Sequence, residues 1–239
     1  MTLEIAMDTS VAHPAPLSAL TLTEWILKDR KTLEDRVLDP DGPRALAGRA
    51  LGIALVGFTL FGVVLAVAFE LAPAGITLLG PIRFRDGSAL RLLLAYDLGL
   101  IAAAGLCLPS FYFYGLLGGV MATMAEVATQ ALLCLAVTAV VLVGLLPLYL
   151  SLALGAILFG CPPDAMRWVL AVGCLLPFFA GLWGLGSLRG AFLRLAHARP
   201  PAAGIVRPVF LCRMLQAWGL VYVAVSPLVI WTLWRQLGG

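Results

Sequence analysis

Residues 50–69 read ALGIALVGFTLFGVVLAVAF, twenty positions without a single charge. Twenty helical residues rise about 30 Å, which is the thickness of a bilayer's hydrocarbon core. The stretch is apolar on every side, so it has no polar face to turn toward water. It reads as a membrane crossing. Working outward, the first apolar segment runs from about Ala45 to Leu71, the second from Ala89 to Leu108 and the third from about Glu126 to Phe159. The fourth spans Met166 to Leu188 and the fifth Val209 to Leu233. The third is too long for one perpendicular crossing. Pro147, following Gly144, Leu145 and Leu146, is expected to kink it, leaving the rest to tilt or run along the interface. A sixth crossing would need a hairpin at Pro147, where no polar turn residues stand.

Composition agrees with lipid as the main solvent. Of 239 residues, 62% are apolar and 12% charged, and the mean hydropathy is +1.00. Soluble domains carry about 25% charged residues, because much of a small domain faces water. A soluble enzyme, a free nucleic-acid binder and a disordered chain are thereby excluded, and no nucleic-acid partner is expected. Cys107, Cys134, Cys161, Cys174 and Cys212 are five, with no CxxC spacing, and read as small buried hydrophobes. The N-terminal residues lack the basic and apolar regions of a cleaved signal peptide.

Ahead of the first span, residues 1–19 form a mixed, proline-containing tail, followed by TLTEWILKDRKTLEDRVLDPDGP from Thr21 to Pro43. Thr21 with Glu24 reads as a capping box, and Leu22, Trp25, Ile26, Leu33 and Val37 recur at near-helical spacing. Glu24 with Lys28 and Lys31 with Asp35 stand four apart on the other side. The expectation is one amphipathic helix of four to five turns outside the bilayer core. Leu22, Trp25, Ile26 and Leu33 would contact this chain's own inner face, the lipid headgroups or a soluble partner.

The expected fold is therefore all-α: a polytopic bundle of five transmembrane helices, the third long and kinked, with an N-terminal cytoplasmic amphipathic helix. Residues 1–43 make the cytoplasmic part and 44–239 the transmembrane domain. The Lys and Arg census orients it. With the N-terminus inside, eleven cations fall on the inner side and five on the outer, which matches the positive-inside rule. The C-terminus is then external, as in a bacterial inner-membrane protein. Phe111, Tyr112, Phe113 and Tyr114 after span two, Trp168 before span four, and Trp231 and Trp234 late in span five stand where interfacial anchors collect.

Chemistry inside a membrane is sought first at ionisable residues, since a lipid-facing charge is costly. Asp97, in LLLAYDLGL, lies well inside span two; Glu70 ends span one and Glu126 begins span three. Asp97 should face the bundle, either protonated or bonded to another helix. It reads as a polar packing contact, a subunit contact or a transport group. His13 and His197 lie outside the spans, so no haem-ligating pair stands at depth. There is no HExxH, Walker A or GxSxG motif, and Ser187 has no histidine near it in the span. No enzyme, cofactor or metal is expected. Glycines four apart, as at Gly48 and Gly52 or Gly186 and Gly190, favour close helix packing in general.

Layout carries a resemblance. The segments LCLPSFYFYGLLGG (residues 106–119) and LLPLYLSLALG (residues 145–155), set among five crowded spans with a cytosolic amphipathic N-terminal segment, resemble Yip1-type membrane proteins. That family's Asp-Leu-x-Gly-Pro run before span one is missing, while Gly80 and Pro81 follow it. The resemblance implies a scaffolding or trafficking role without catalysis. The leading expectation is a non-catalytic membrane subunit or scaffold, with the lipid bilayer and other membrane or cytoplasmic subunits as partners. A transporter or channel component using Asp97 and Glu126, and the membrane anchor of an enzyme complex, are the alternatives.

Overall fold

A computed structural model describes residues 18–39, 42–72, 82–198 and 208–238. The tail before Ser18, the turn residues Pro40 and Asp41, Gly80 with Pro81, and the basic stretch 199–207 lie outside the described residues. Seven helices are described: α1 (Ala19–Lys28), α2 (Arg30–Leu38), α3 (Gly42–Leu71), α4 (Ser88–Leu117), α5 (Met124–Leu158), α6 (Pro163–Ala198) and α7 (Pro208–Gln236). No strand occurs among the described residues. The five helices from α3 to α7 are long and apolar enough to cross a membrane, which makes this a multi-pass membrane protein.

These helices outrun the apolar segments that announced them. α4 continues through Pro109 and the whole aromatic run, and α6 takes in both Pro163 and His197. α5 runs unbroken through Pro147 for 35 residues, roughly 50 Å of helix. There is no hairpin at that proline, so the third segment is a single helix. Ser151 donates its hydroxyl to the Pro147 carbonyl at 2.8 Å.

Local chemistry sets the helix ends. Gly87 adopts φ +77° ahead of α4, a backbone state that side chains disfavour. Beside it Asp86 accepts hydrogen bonds from the amide (2.9 Å) and hydroxyl (2.6 Å) of Ser88. α5 opens on a complete capping box. The Thr123 hydroxyl accepts from the Glu126 amide, while the Glu126 carboxylate accepts from the Thr123 amide at 2.7 Å. The expected box at Thr21 and Glu24 is replaced by another cap: Ser18 caps α1 through the Thr21 amide, placing Thr21 inside the helix.

The single amphipathic helix read from the sequence is two helices. Asp29 has φ −137° and caps α2, accepting from the amide (3.2 Å) and hydroxyl (2.5 Å) of Thr32. A short polar side chain that bonds the backbone ahead of it competes with helix continuation. The break lets both apolar stripes reach one surface. Leu22, Ile26, Leu33 and Val37 are all buried against Leu46 and Ala50 of α3 and Leu133, Ala136 and Val137 of α5.

In the bundle, α3 packs mainly on α5, α5 on α6, and α4 on α7, with lighter contacts from α3 to α4 and from α6 to α7. α3 and α5 run parallel. The Thr129 hydroxyl donates to the Pro43 carbonyl at one end (3.1 Å), and Gly57 meets Ala139 further along. A Cβ on Gly57 would stand 2.8 Å from that of Ala139, so the missing side chain is what allows the approach. Two further apolar clusters fill the bundle. One centres on Phe58, Phe61, Leu65 and Tyr149; the other on Phe111, Phe192, Leu211 and Trp218.

Candidate functional site

Asp97 sits a third of the way along α4, 6% exposed, facing α3. The Thr59 hydroxyl of α3 donates to its Oδ2 at 2.6 Å. Its Oδ1 is buried and has no hydrogen-bond partner among the described residues. A Cβ added at Gly62, one turn along α3 from Thr59, would collide with Leu93 and stand 3.9 Å from Oδ1. The small residue thus makes room for Leu93 between the helices, beside the carboxyl. Thr59 itself is exposed on the outer wall, among Leu55, Val56, Leu60 and Val63. The pair therefore joins a buried acid to the surface that faces lipid.

The other two acids have been given other work. Glu70, exposed at the end of α3, accepts from the Phe84 amide at 3.2 Å and ties the helix end to the 82–87 turn. Glu126 is buried in the α5 capping box. Asp97 is level with the part of α5 near Ala139, because Thr59 follows Gly57. Glu126 lies thirteen residues before Ala139, roughly 20 Å away along the axis. The structure does not bring these carboxyls together.

Buried tyrosines, which the sequence reading passed over, add polar groups to the same core. Tyr96 donates its hydroxyl to the Cys174 carbonyl at 2.9 Å, in the helical turn ahead of Pro177. Tyr149 packs on Phe61 with ring centroids 5.6 Å apart. Its hydroxyl has no partner among the described residues and presses on Gly173, where any side chain would strike it.

The aromatic anchors divide. Phe111 is fully buried between Phe192 and Trp218, with ring centroids 4.8 Å from each, and Trp234 is also buried. Both are core residues rather than interfacial anchors, because the α4–α7 packing encloses those faces. Phe113, Tyr114, Trp168 and Trp231 are exposed and Tyr112 is half-buried. Of the residues read as a docking stripe, Leu22, Ile26 and Leu33 are covered by this chain's own α3 and α5, and Trp25 is half-buried at the edge of that contact.

No family model matches the chain, and no curated protein or solved structure matches it either.

Proposed function

We propose that this protein is a non-catalytic subunit or scaffold of the cytoplasmic membrane, related in layout to Yip1-type proteins, that assembles with a partner inside the bilayer. One observation carries the reading: Asp97 Oδ1, buried without a partner among the described residues and beside lipid-exposed Thr59. A polar group at this depth is costly in hydrocarbon unless another helix satisfies it. A neighbouring transmembrane helix laid along the outer face of α3 would meet this pair through the exposed Thr59 hydroxyl, which already donates to the buried carboxyl. The α1–α2 end is cytoplasmic in this reading and the C-terminus external, supported by the eleven-to-five division of cations. The self-covered stripe of α1 and α2 moves partner contact away from Leu22 and Ile26 and toward the intramembrane pair.

The test replaces Thr59 with cysteine and cross-links it in native membranes, followed by gentle purification and identification of the adduct. A discrete adduct that disappears in Asp97→Leu is expected. Cross-linking to lipid alone, or an adduct indifferent to Asp97, would reject the reading. Transport through Asp97 and Glu126 has less support, since those groups lie about 20 Å apart and Glu126 is engaged at a helix cap.

A further inference from the structure

A second feature stands apart from the Asp97 pair. α6 and α7 touch only lightly, and between them lies a cavity of about 430 Å³, floored by α3, α4 and α5. That volume falls in the range of small-ligand sites, roughly 300–1,000 Å³. The hydroxyl and indole donors that line it are already engaged inside the protein. Thr138 donates to the Cys134 carbonyl (2.8 Å), Trp218 to that of Cys107 (3.3 Å) and Tyr222 to that of Leu100 (3.1 Å). What remains to an occupant is hydrocarbon, glycine surface and, at one end, the exposed amide of Gln216.

The mouth opens sideways from the bundle. Leu182 of α6 and Leu220 of α7 line the cavity and are 62% and 72% exposed, so its surroundings are bilayer and not water. Along α7 the lining runs from Gln216 to Val223 and along α6 from Pro177 to Leu185. That is about 10–12 Å of helix, most of the depth of one leaflet in a core of about 30 Å.

The end at Gln216 is cationic on both walls. Arg213 lies three residues before Gln216 on α7, and Arg189 four residues after Leu185 on α6; both are exposed. α6 runs antiparallel to α5, with Gly173 against Tyr149 and Gly184 against Cys134 and Thr138. α7 runs antiparallel to α4, with Leu211 at Gly118 and Ile230 at Gly99. Both arginines therefore stand at the α1–α2 end, one helical turn beyond the cavity.

We infer that the α6–α7 cavity seats one acyl chain of an anionic glycerophospholipid, with Gln216 at the ester level and Arg189 and Arg213 at the phosphate. The apolar lining takes the chain, the lateral mouth admits it from the leaflet, and the guanidinium groups at the end of the two walls select the charge. This site goes beyond the partner reading and does not depend on it.

Gly181 supplies the test, because it lines the cavity and a Cβ there would meet nothing within 4 Å. The full chain is delipidated in mild detergent, offered equal phosphatidylglycerol and phosphatidylcholine, and weighed by native mass spectrometry. One retained phosphatidylglycerol per chain is expected. Gly181→Phe should lower its occupancy at least tenfold while the melting temperature is kept. Arg189→Gln with Arg213→Gln should bring phosphatidylglycerol down to the phosphatidylcholine level. If the phenylalanine variant unfolds, Gly181→Leu carries the same comparison with less bulk. Occupancy unchanged in the glycine variants overturns the site. Equal retention of both lipids by the unaltered protein, or a membrane protein in place of the lipid, overturns it too.

Discussion

Asp97 and Thr59 form a contact whose two ends can be removed separately. Asp97→Asn keeps a carbonyl acceptor for the Thr59 hydroxyl and nearly the same shape, so the protein should melt close to the unaltered one in detergent. Asp97→Leu removes the acceptor and should cost about 0.6–2 kcal/mol, the span measured for hydrogen bonds between membrane helices. Loss of an ion flux in the Asn variant with assembly intact would point instead to transport. Outside the membrane, Asp86 follows a simpler rule. Its hydrogen bonds from Ser88 hold its carboxyl below the usual carboxylate range, with Arg83 adding to the effect. A lowered folded-state value means the contribution is present above the ordinary carboxylate value of about 4 and is lost as pH falls through the lowered one. Melts of Asp86→Asn and the unaltered protein should differ at neutral pH and converge in acid. Asp97 itself could be picked out from the sequence, because a lone acid in an apolar run is conspicuous. Thr59 could not: a hydroxyl in a span is common, and only the approach of α3 to α4 gives it a partner.

Between elements, small residues and caps decide more than apolar pattern does. Gly57→Leu should push α3 from α5, because even the first carbon would meet Ala139. A melting temperature unchanged by that substitution would show the helix pair to be looser than described. The Thr123 and Glu126 box is reciprocal, and Thr123→Ala should cost about 1 kcal/mol, read as lower thermal stability without loss of insertion. Trp25→Glu with Ile26→Glu should strip α1 from α3 and α5, exposing it to protease while the five long helices still insert. Full protease resistance would mean α1 contributes nothing to holding that end. Here the sequence was half legible. The apolar spacing of Leu22, Ile26, Leu33 and Val37 marked the stripe correctly, but the role of Asp29 as a cap was hidden in a charged run. The partner of the stripe was hidden too, since α3 and α5 are apolar on all sides and advertise no particular face.

For the whole molecule, length and hydropathy sufficed to count five long helices, because a continuous apolar run of about twenty residues crosses a bilayer as a helix that satisfies its own backbone. A reporter fused after Gly239 should be external and one before Met1 cytoplasmic, following the eleven-to-five cation bias. Both ends on one side would contradict an odd number of crossings. Which helices pair was not legible, because apolar side chains gain nothing from one another over lipid. Phe111 and Trp234 illustrate this: both stand where an anchor would, and only the packing of the helices, with Phe111 enclosed by Phe192 of α6 and Trp218 of α7, takes them indoors.

That packing also dictates an order of events during synthesis. α3 finds its chief partner α5 after one intervening helix, but α4 must wait for α7, which leaves the ribosome after both α5 and α6. Until then the carbonyls of Leu100 and Cys107 lack the side chains that will reach them, and Phe111 lacks the Trp218 ring. A chain stopped before Pro208 should insert four helices, yet remain unfinished around α4 and be cleared by membrane proteases. Pulse-chase labelling of such a truncation should show a shorter lifetime than the full chain, and supplying α7 as a separate polypeptide should restore it.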